Sequence, residues 1–252
     1  MYLSLLPVNT TDRPGREWLR NVYRVHQRLW MAFPEAQTRL DDPFFLGPWT
    51  GPPGPEQRAR RTESGFLFRI EHDGSPRILV QSMFDREPDW DYAFQNAPYL
   101  LAGRAQTRRF EPIVAVGQLL RFRLRANPTR RASLSRQERL DRAAAGQRVQ
   151  RPRLQLTWAA DEDPRDAFMG WLFRKAQTAG FAVRHADVLD VGYAYFKKKQ
   201  GPSKAQPLRA VEYEGVLEVN DVEGFRGAIV RGIGPAKAFG FGLLSVAPVK
   251  AG

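Results

Sequence analysis

Apolar residues recur at three- and four-residue spacing through Trp18, Val22, Val25, Leu29 and Phe33, which puts them on one face of a helix. The spacing predicts a single amphipathic helix over 15–33, with Pro14 in its first turn and Pro34 as its stop. Arg20, Arg24 and Arg28 form a separate basic stripe at i, i+4 and i+8. Tyr23 and His26 fall between the two faces. At ~100° per residue they lie ~60° apart, so their side chains are neighbours. An imidazole beside a phenol, flanked by arginines, suits chemistry on a phosphate. The competing reading is a core histidine bonded to a backbone carbonyl, with Tyr23 an ordinary edge aromatic.

Around this helix the pattern alternates between strands and helices. Residues 2–8 read as a buried strand, and 66–71 and 77–84 as a hairpin whose turn holds His72, Asp73 and Gly74. His72 is thus expected to be a solvated turn residue. Residues 41–61, broken by five prolines and three glycines, read as a long loop carrying Arg58, Arg60 and Arg61. Residues 90–100 read as a short helix or irregular segment, and 111–116 as a strand. In 118–125, Leu120, Phe122 and Leu124 alternate with Arg121, Arg123 and Arg125, a half-buried strand with a basic outer face. A strand at 154–158 is followed by a helix over 163–179 ended by Gly180. Strands at 181–196 and 208–219 come next, with His185 in a structural role. A helix over 222–230, capped by Asn220 or Asp221, and a strand at 243–247 complete the pattern. Each half reads βαββαβ. The predicted fold is α+β, two tandem ferredoxin-like (RRM-like) domains, 1–112 carrying the Tyr23/His26 helix and 113–252 carrying a basic arm and a terminal glycine loop.

Charge narrows the partner. The 252 residues hold 39 Lys+Arg against 27 Asp+Glu, a net charge of +12, and 42% are hydrophobic. Such a chain builds real cores and favours an anionic partner, nucleic acid before membrane. Between Arg121 and Arg153 eleven arginines face only Glu138 and Asp141. That density of one sign favours a phosphate-contacting arm over a merely solvated charge run. The absence of cysteine excludes a disulfide framework, thiolate catalysis and Cys-based zinc sites. No apolar run approaches a membrane span and the first residues lack a basic leader, so a soluble, cytoplasmic protein without membrane contact is expected.

The stretch from Gly232 to Gly242, GIGPAKAFGFG, joins the last predicted helix to the last strand. It lacks the Gly-Lys-Ser/Thr of a P-loop and does not open a helix after a strand, as a dinucleotide fingerprint would. Lys237 to Phe241 partly matches the aromatic strand motif of RNA-recognition domains. Gly232, Gly234, Gly240 and Gly242 would let backbone approach an anionic backbone closely, with Lys237 as a point charge; the alternative is a tight turn required by packing.

Taken together, the N-terminal strand, the Tyr23-x-x-His26 helix within YRVHQRLWMAFP, the duplicated ferredoxin-like pattern and the loop GIGPAKAFGFGLLSV resemble the CRISPR-associated repeat-RNA endoribonucleases of the CasE subtype. The resemblance runs the length of the chain; its specific parts are the helix and the glycine loop. It implies an enzyme that binds the hairpin of a CRISPR repeat in precursor crRNA and cuts at the 3′ base of the stem. The RNA's own 2′-hydroxyl would be the nucleophile, leaving a 2′,3′-cyclic phosphate without a metal or other cofactor. The product crRNA would be retained, with the subunits of the Cascade complex as partners. His26 and Tyr23 are the expected catalytic pair. Arg20, Arg24, Arg28, Arg125, Arg130, Arg131, Arg148, Arg151 and Lys237 are the expected RNA contacts. Three readings compete: a non-catalytic tandem RNA-binding subunit, a basic structural subunit of a ribonucleoprotein, and a metal-dependent nuclease.

Overall fold

The computed structural model describes residues 1–33, 65–84, 86–133, 135–144, 153–158, 161–197 and 205–249. The proline-rich stretch 41–61, with Arg58, Arg60 and Arg61, and the predicted contacts Arg148 and Arg151 lie outside the described residues.

The chain opens with β1 (Tyr2–Pro7), α1 (Arg13–Arg20) and α2 (Val22–Trp30), followed by β2 (Phe66–Glu71), β3 (Arg77–Ser82), α3 (Trp90–Phe94) and β4 (Gln106–Arg109). Its second half runs β5 (Leu119–Ala126), β6 (Thr129–Arg131), α4 (Arg136–Ala144), β7 (Arg153–Gln155), α5 (Pro164–Thr178), β8 (Phe181–Phe196), β9 (Gln206–Val219), α6 (Val222–Arg231) and β10 (Leu244–Pro248). Two four-stranded antiparallel sheets result, ordered β2-β3-β1-β4 and β10-β5-β9-β8. Numbered within its own half, each sheet runs fourth, first, third, second. The two halves therefore share the ferredoxin-like βαββαβ plan. The β6–β7 hairpin and α4 are inserted between the first strand and first helix of the second unit.

Each half buries its own core. Leu6, Val25, Leu29, Phe68 and Ile78 anchor the first, and Phe168, Trp171, Tyr213 and Phe225 the second. Each such side chain contributes about 1.5–3 kcal/mol of burial. Trp18, Val22, Val25, Leu29 and Phe33 are all buried, as their spacing predicts.

The single helix expected over 15–33 is two helices. Asn21 leaves the helical region (φ −118°, ψ 91°), and its side chain caps α2 by accepting from the Tyr23 N–H. Asparagine favours a cap because its side chain competes for backbone groups, which the apolar periodicity does not register. The strand expected over 111–116 is also absent. β4 lies earlier, at Gln106–Arg109, where it pairs with Tyr2–Leu5 of β1; Pro112, which has no N–H, then falls outside the ladder.

The basic face of β5 does not simply look outward. Leu120, Phe122 and Leu124 point into the core, but of the three arginines only Arg121 is exposed. Arg123 reaches Asp73 (2.9 Å) and Glu212 (3.2 Å), and Arg125 donates to the Ile70 carbonyl (3.4 Å). From the other side Arg69, almost completely buried, binds Glu71 (2.6 Å) and the Arg123 and Leu243 carbonyls. Gln81 donates to Ile229 O at 2.7 Å. These polar contacts tie the two sheets together. Burial works against the Arg123 charge, but its bonds to Asp73 and Glu212 outweigh this and raise its pKa. Burial likewise opposes the Glu71 charge, and Arg69 and Arg77 hold its pKa below the usual value.

Candidate active site and nucleic-acid interface

α2 presents His26 to the first sheet. Its ring stacks on Phe66 at 5.2 Å between centroids (28° between planes) and lies 6.2 Å from Phe68 and 6.1 Å from Trp30. Nδ1 is fully buried with no hydrogen-bond partner, while the residue as a whole keeps some exposed surface. Burial disfavours the imidazolium and lowers the pKa to about 4, so the ring is neutral at pH 7. Neither ring nitrogen is bonded to a backbone carbonyl among the described residues. Tyr23, one turn earlier, is half-buried.

The glycine loop closes over the same aromatic wall. Its two ends are joined by a bond from Ile233 N to Gly242 O, and Gly242 N ties it to Arg125 O of β5, both at 2.8 Å. Gly232, Gly234, Gly240 and Gly242 all have positive φ. At Gly240 a Cβ would sit 3.1 Å from the Phe68 ring, and at Gly232 it would lie 2.8 Å from both Gly242 O and Leu67 Cδ1. Side chains are excluded there by backbone angle and by contact together. Phe68 is therefore wedged between His26 and the loop.

On its other side the loop lines a cationic pocket of about 170 Å³, formed by Arg130 and Arg131 of β6, Arg153 of β7, Lys175 of α5 and the Gly234–Pro235 turn. No carboxylate lines it among the described residues. Lys237 is half-buried. Burial first, then the charges of Arg231, Arg153 and Lys175, lower its pKa. Like charges held together without counter-ions are a site for an anion.

The remaining predicted contacts are distributed unevenly. Arg24 is exposed on α2. Arg20, on α1 before the break, faces a cleft between the two halves. Arg28 turns inward to the Ala93 carbonyl (3.0 Å) and Asn96 Oδ1 (2.6 Å), and Arg125 lies in the seam between the sheets. The helical stripe is thus broken into three environments. His72 is an exposed turn residue, as expected, at the rim of the same cleft. His185 is exposed on β8, 3.6 Å from Asp187. Arg153 belongs to the arm that the arginine density marked, whereas sequence reasoning missed Lys175 as a pocket residue and Phe66 and Phe68 as the wall of His26. The wall was written only as the apolar run Phe66, Leu67 and Phe68 in β2. Among the described residues no group of three or more His, Asp or Glu is arranged to hold a metal.

Fold and site define a tandem ferredoxin-like protein whose glycine loop joins a walled imidazole to a cationic pocket. A family described as "CRISPR associated protein" matches residues 1–248, and the chain belongs to that family. It is 31% identical to the CRISPR system Cascade subunit CasE of Escherichia coli over 99% of this chain and all of that one. It is 32% identical to the CRISPR-associated endoribonuclease Cse3 of Thermus thermophilus over 98% of this chain and all of the relative. Among solved structures it resembles the CRISPR endoribonuclease Cse3 bound to a 19-nucleotide RNA, with TM-score 0.64 and 30% identity, covering 98% of this chain and 100% of that one. The Thermus thermophilus Cse3 bound to an RNA representing a pre-cleavage complex gives TM-score 0.61 and 30% identity, over 98% of each chain.

Proposed function

We propose that this protein is an endoribonuclease that binds the repeat hairpin of precursor crRNA, cuts at the 3′ base of the stem, keeps the product and serves as a Cascade subunit. The observation that carries the reading is the placement of one glycine loop between His26 and a pocket of uncompensated cations. The family relatives named CasE and Cse3, one of them solved with RNA, support the same substrate. The division into units at 1–112 and 113–252 belongs to this reading and is supported by the gap between β4 and β5.

The reaction is intramolecular. The 2′-hydroxyl proton passes to the neutral His26 imidazole, and the 2′-oxygen attacks the adjacent phosphorus. The bond to the 5′-oxygen breaks, and that oxygen takes a proton from the Tyr23 phenol. The products are a 2′,3′-cyclic phosphate and a 5′-hydroxyl. Lys237 stabilises charge on the phosphorane. General acid–base assistance supplies ~10²–10⁴-fold, and in-line positioning of the 2′-oxygen supplies much of the rest. The chemistry draws on no cofactor. The stem is held by its phosphates and shape, because an A-form major groove hides its bases. Arg130, Arg131 and Arg153 are its contacts on the inserted hairpin, with Arg24 on the catalytic helix and Arg20 at the end of α1.

Cleavage of a labelled repeat hairpin in excess EDTA, beside a substrate with 2′-deoxyribose at the scissile nucleotide, tests this. The ribose substrate is expected to be cut and the deoxy substrate to bind intact. Tight binding of both without cleavage would leave a binding subunit instead, and cleavage abolished by EDTA would point to a metal-dependent nuclease.

A further inference from the structure

The inserted β6–β7 hairpin has two roots of different kinds. Its first strand grows out of β5 through the buried Asn127. Its second strand leaves through Leu156 and Trp158, both packed on the core of the second half, before α5 begins at Pro164. The seat of Trp158 therefore sets where β7 lies. Through the pairs Arg130–Leu154 and Arg131–Arg153 it sets β6 as well.

That seat is built from two sides. Trp158 stands edge-on to Phe168 of α5, with ring centroids 5.5 Å apart and planes at 76°. Arg209 of β9 closes the other side. Its Cζ lies 4.9 Å from the centre of the Trp158 ring, 5.5 Å from that of Phe168 and 5.3 Å from that of Tyr193, its cross-strand neighbour on β8. The Arg209 side chain is only 18% exposed, and desolvation strengthens cation–π attraction. Both terminal nitrogens are committed: Nη1 donates to the Tyr193 hydroxyl at 3.0 Å, and Nη2 donates to the Asp190 carboxylate. The pair with Asp190 also neutralises its charge, so Arg209 is spent on this cluster rather than on a phosphate.

α5 relates the seat to the cationic pocket. Phe168 and Lys175 lie two turns apart on one face of that helix, and Lys175 lines the pocket with Arg130, Arg131 and Arg153. Seating Trp158 on Phe168 thus places the hairpin arginines relative to Lys175. Like charges gathered without counter-ions repel, and a hairpin rooted in β5 alone would swing outward to relieve the repulsion. The aromatic cluster around Arg209 opposes that movement.

We infer that Arg209 is a positioning residue for RNA binding: it clamps Trp158 against Phe168 and so holds Arg130, Arg131 and Arg153 beside Lys175 before RNA arrives. The inference rests on the RNA reading above and adds to it, because those three arginines are its stem contacts and Arg209 acts only through them.

The test is a salt series of Kd for a 2′-deoxy-blocked repeat hairpin, using the full chain and its Arg209→Met and Trp158→Leu variants. Trp158→Leu leaves the net charge unchanged. Both variants should weaken Kd about tenfold at about 0.15 M salt and flatten the plot of log Kd against log salt by more than the roughly 0.9 of one lost phosphate contact. Trp158→Phe, which keeps a ring for the guanidinium, should restore affinity and slope. In a chain already carrying Arg130→Ala and Arg153→Ala, Trp158→Leu should have little further effect, since the contacts it acts through are gone. Destabilisation alone lowers the active fraction and leaves the slope where it was. An unchanged slope, or a Trp158→Leu effect that adds in full to that of the arm, would therefore overturn the inference. Hydrogen exchange on the unsubstituted chain needs no variant: the paired amides of β6 and β7 should be protected before RNA is added, and protection gained only with RNA would count against a preset arm. Failure of the unsubstituted chain to bind the hairpin would remove the RNA reading, and this role with it.

Discussion

At the scale of the residue, the informative group is His26. Its ring is stacked on Phe66 with a bare, buried Nδ1, and burial holds its pKa near 4. Because the folded pKa lies below the unfolded value of ~6.5, the unfolded chain binds more protons between these limits. The stability associated with the neutral ring is therefore complete above pH ~6.5 and is lost as the pH falls toward 4. For the free enzyme, the acid limb of kcat/KM should fall near pH 4 rather than ~6.5, as a pH–rate profile on the hairpin would show. His26→Ala should lower kcat by about 10²–10⁴-fold with the RNA Kd unchanged, measured by single-turnover cleavage and filter binding. Asn21 is the second residue of consequence, since it breaks the helix, caps α2 and clamps Lys197. Asn21→Ala should cost about 0.5–2 kcal/mol for the cap alone, read by denaturant unfolding.

At the scale of the element, the inserted β6–β7 hairpin gathers Arg130, Arg131 and Arg153 over the glycine loop. Each phosphate contact removed from a duplex stem should flatten the plot of log Kd against log salt by roughly 0.9. Arg130→Ala and Arg153→Ala should each show this in binding titrations over a salt series. This hairpin also shows how far the sequence could be read. The density of arginine marked the arm, and charge of one sign in a short stretch is visible without a structure. Lys175 was not visible as a member, because it reaches the pocket from α5 and only the fold brings it there. β5 repeats the lesson. Its alternation correctly sorted Leu120, Phe122 and Leu124 from the arginines, since a period of two defines two faces. It did not say what covers the second face, because Asp73 and Glu212 are 50 and 89 residues away along the chain from Arg123. The break at Asn21 was hidden for the opposite reason: the apolar stripe passes through it undisturbed.

At the scale of the whole molecule, two ferredoxin-like sheets are joined by a polar seam, centred on Arg69 and Glu71 with Arg77, Arg123 and Arg125 around them. The duplicated βαββαβ order was legible from the succession of strand and helix signals; the seam was not, because it consists of pairings between distant segments. Removing one partner of a buried pair leaves the other charge stranded. Arg69→Met should therefore destabilise the chain by about 3–5 kcal/mol, and thermal or denaturant unfolding would record it. The seam also sets the distance between α2, in the first half, and the glycine loop, in the second.

That loop has a consequence for when the protein can work. Its bond to Arg125 and its contact with Phe68 mean that the wall beside His26 is finished by residues of the second unit, which follow the whole of the first in the chain. An N-terminal half emerging from the ribosome can fold its sheet and display His26, but the aromatic surface under the loop stays uncovered and the cationic pocket has no floor. A fragment that stops before Gly232 should therefore hold the imidazole yet leave the repeat hairpin uncut.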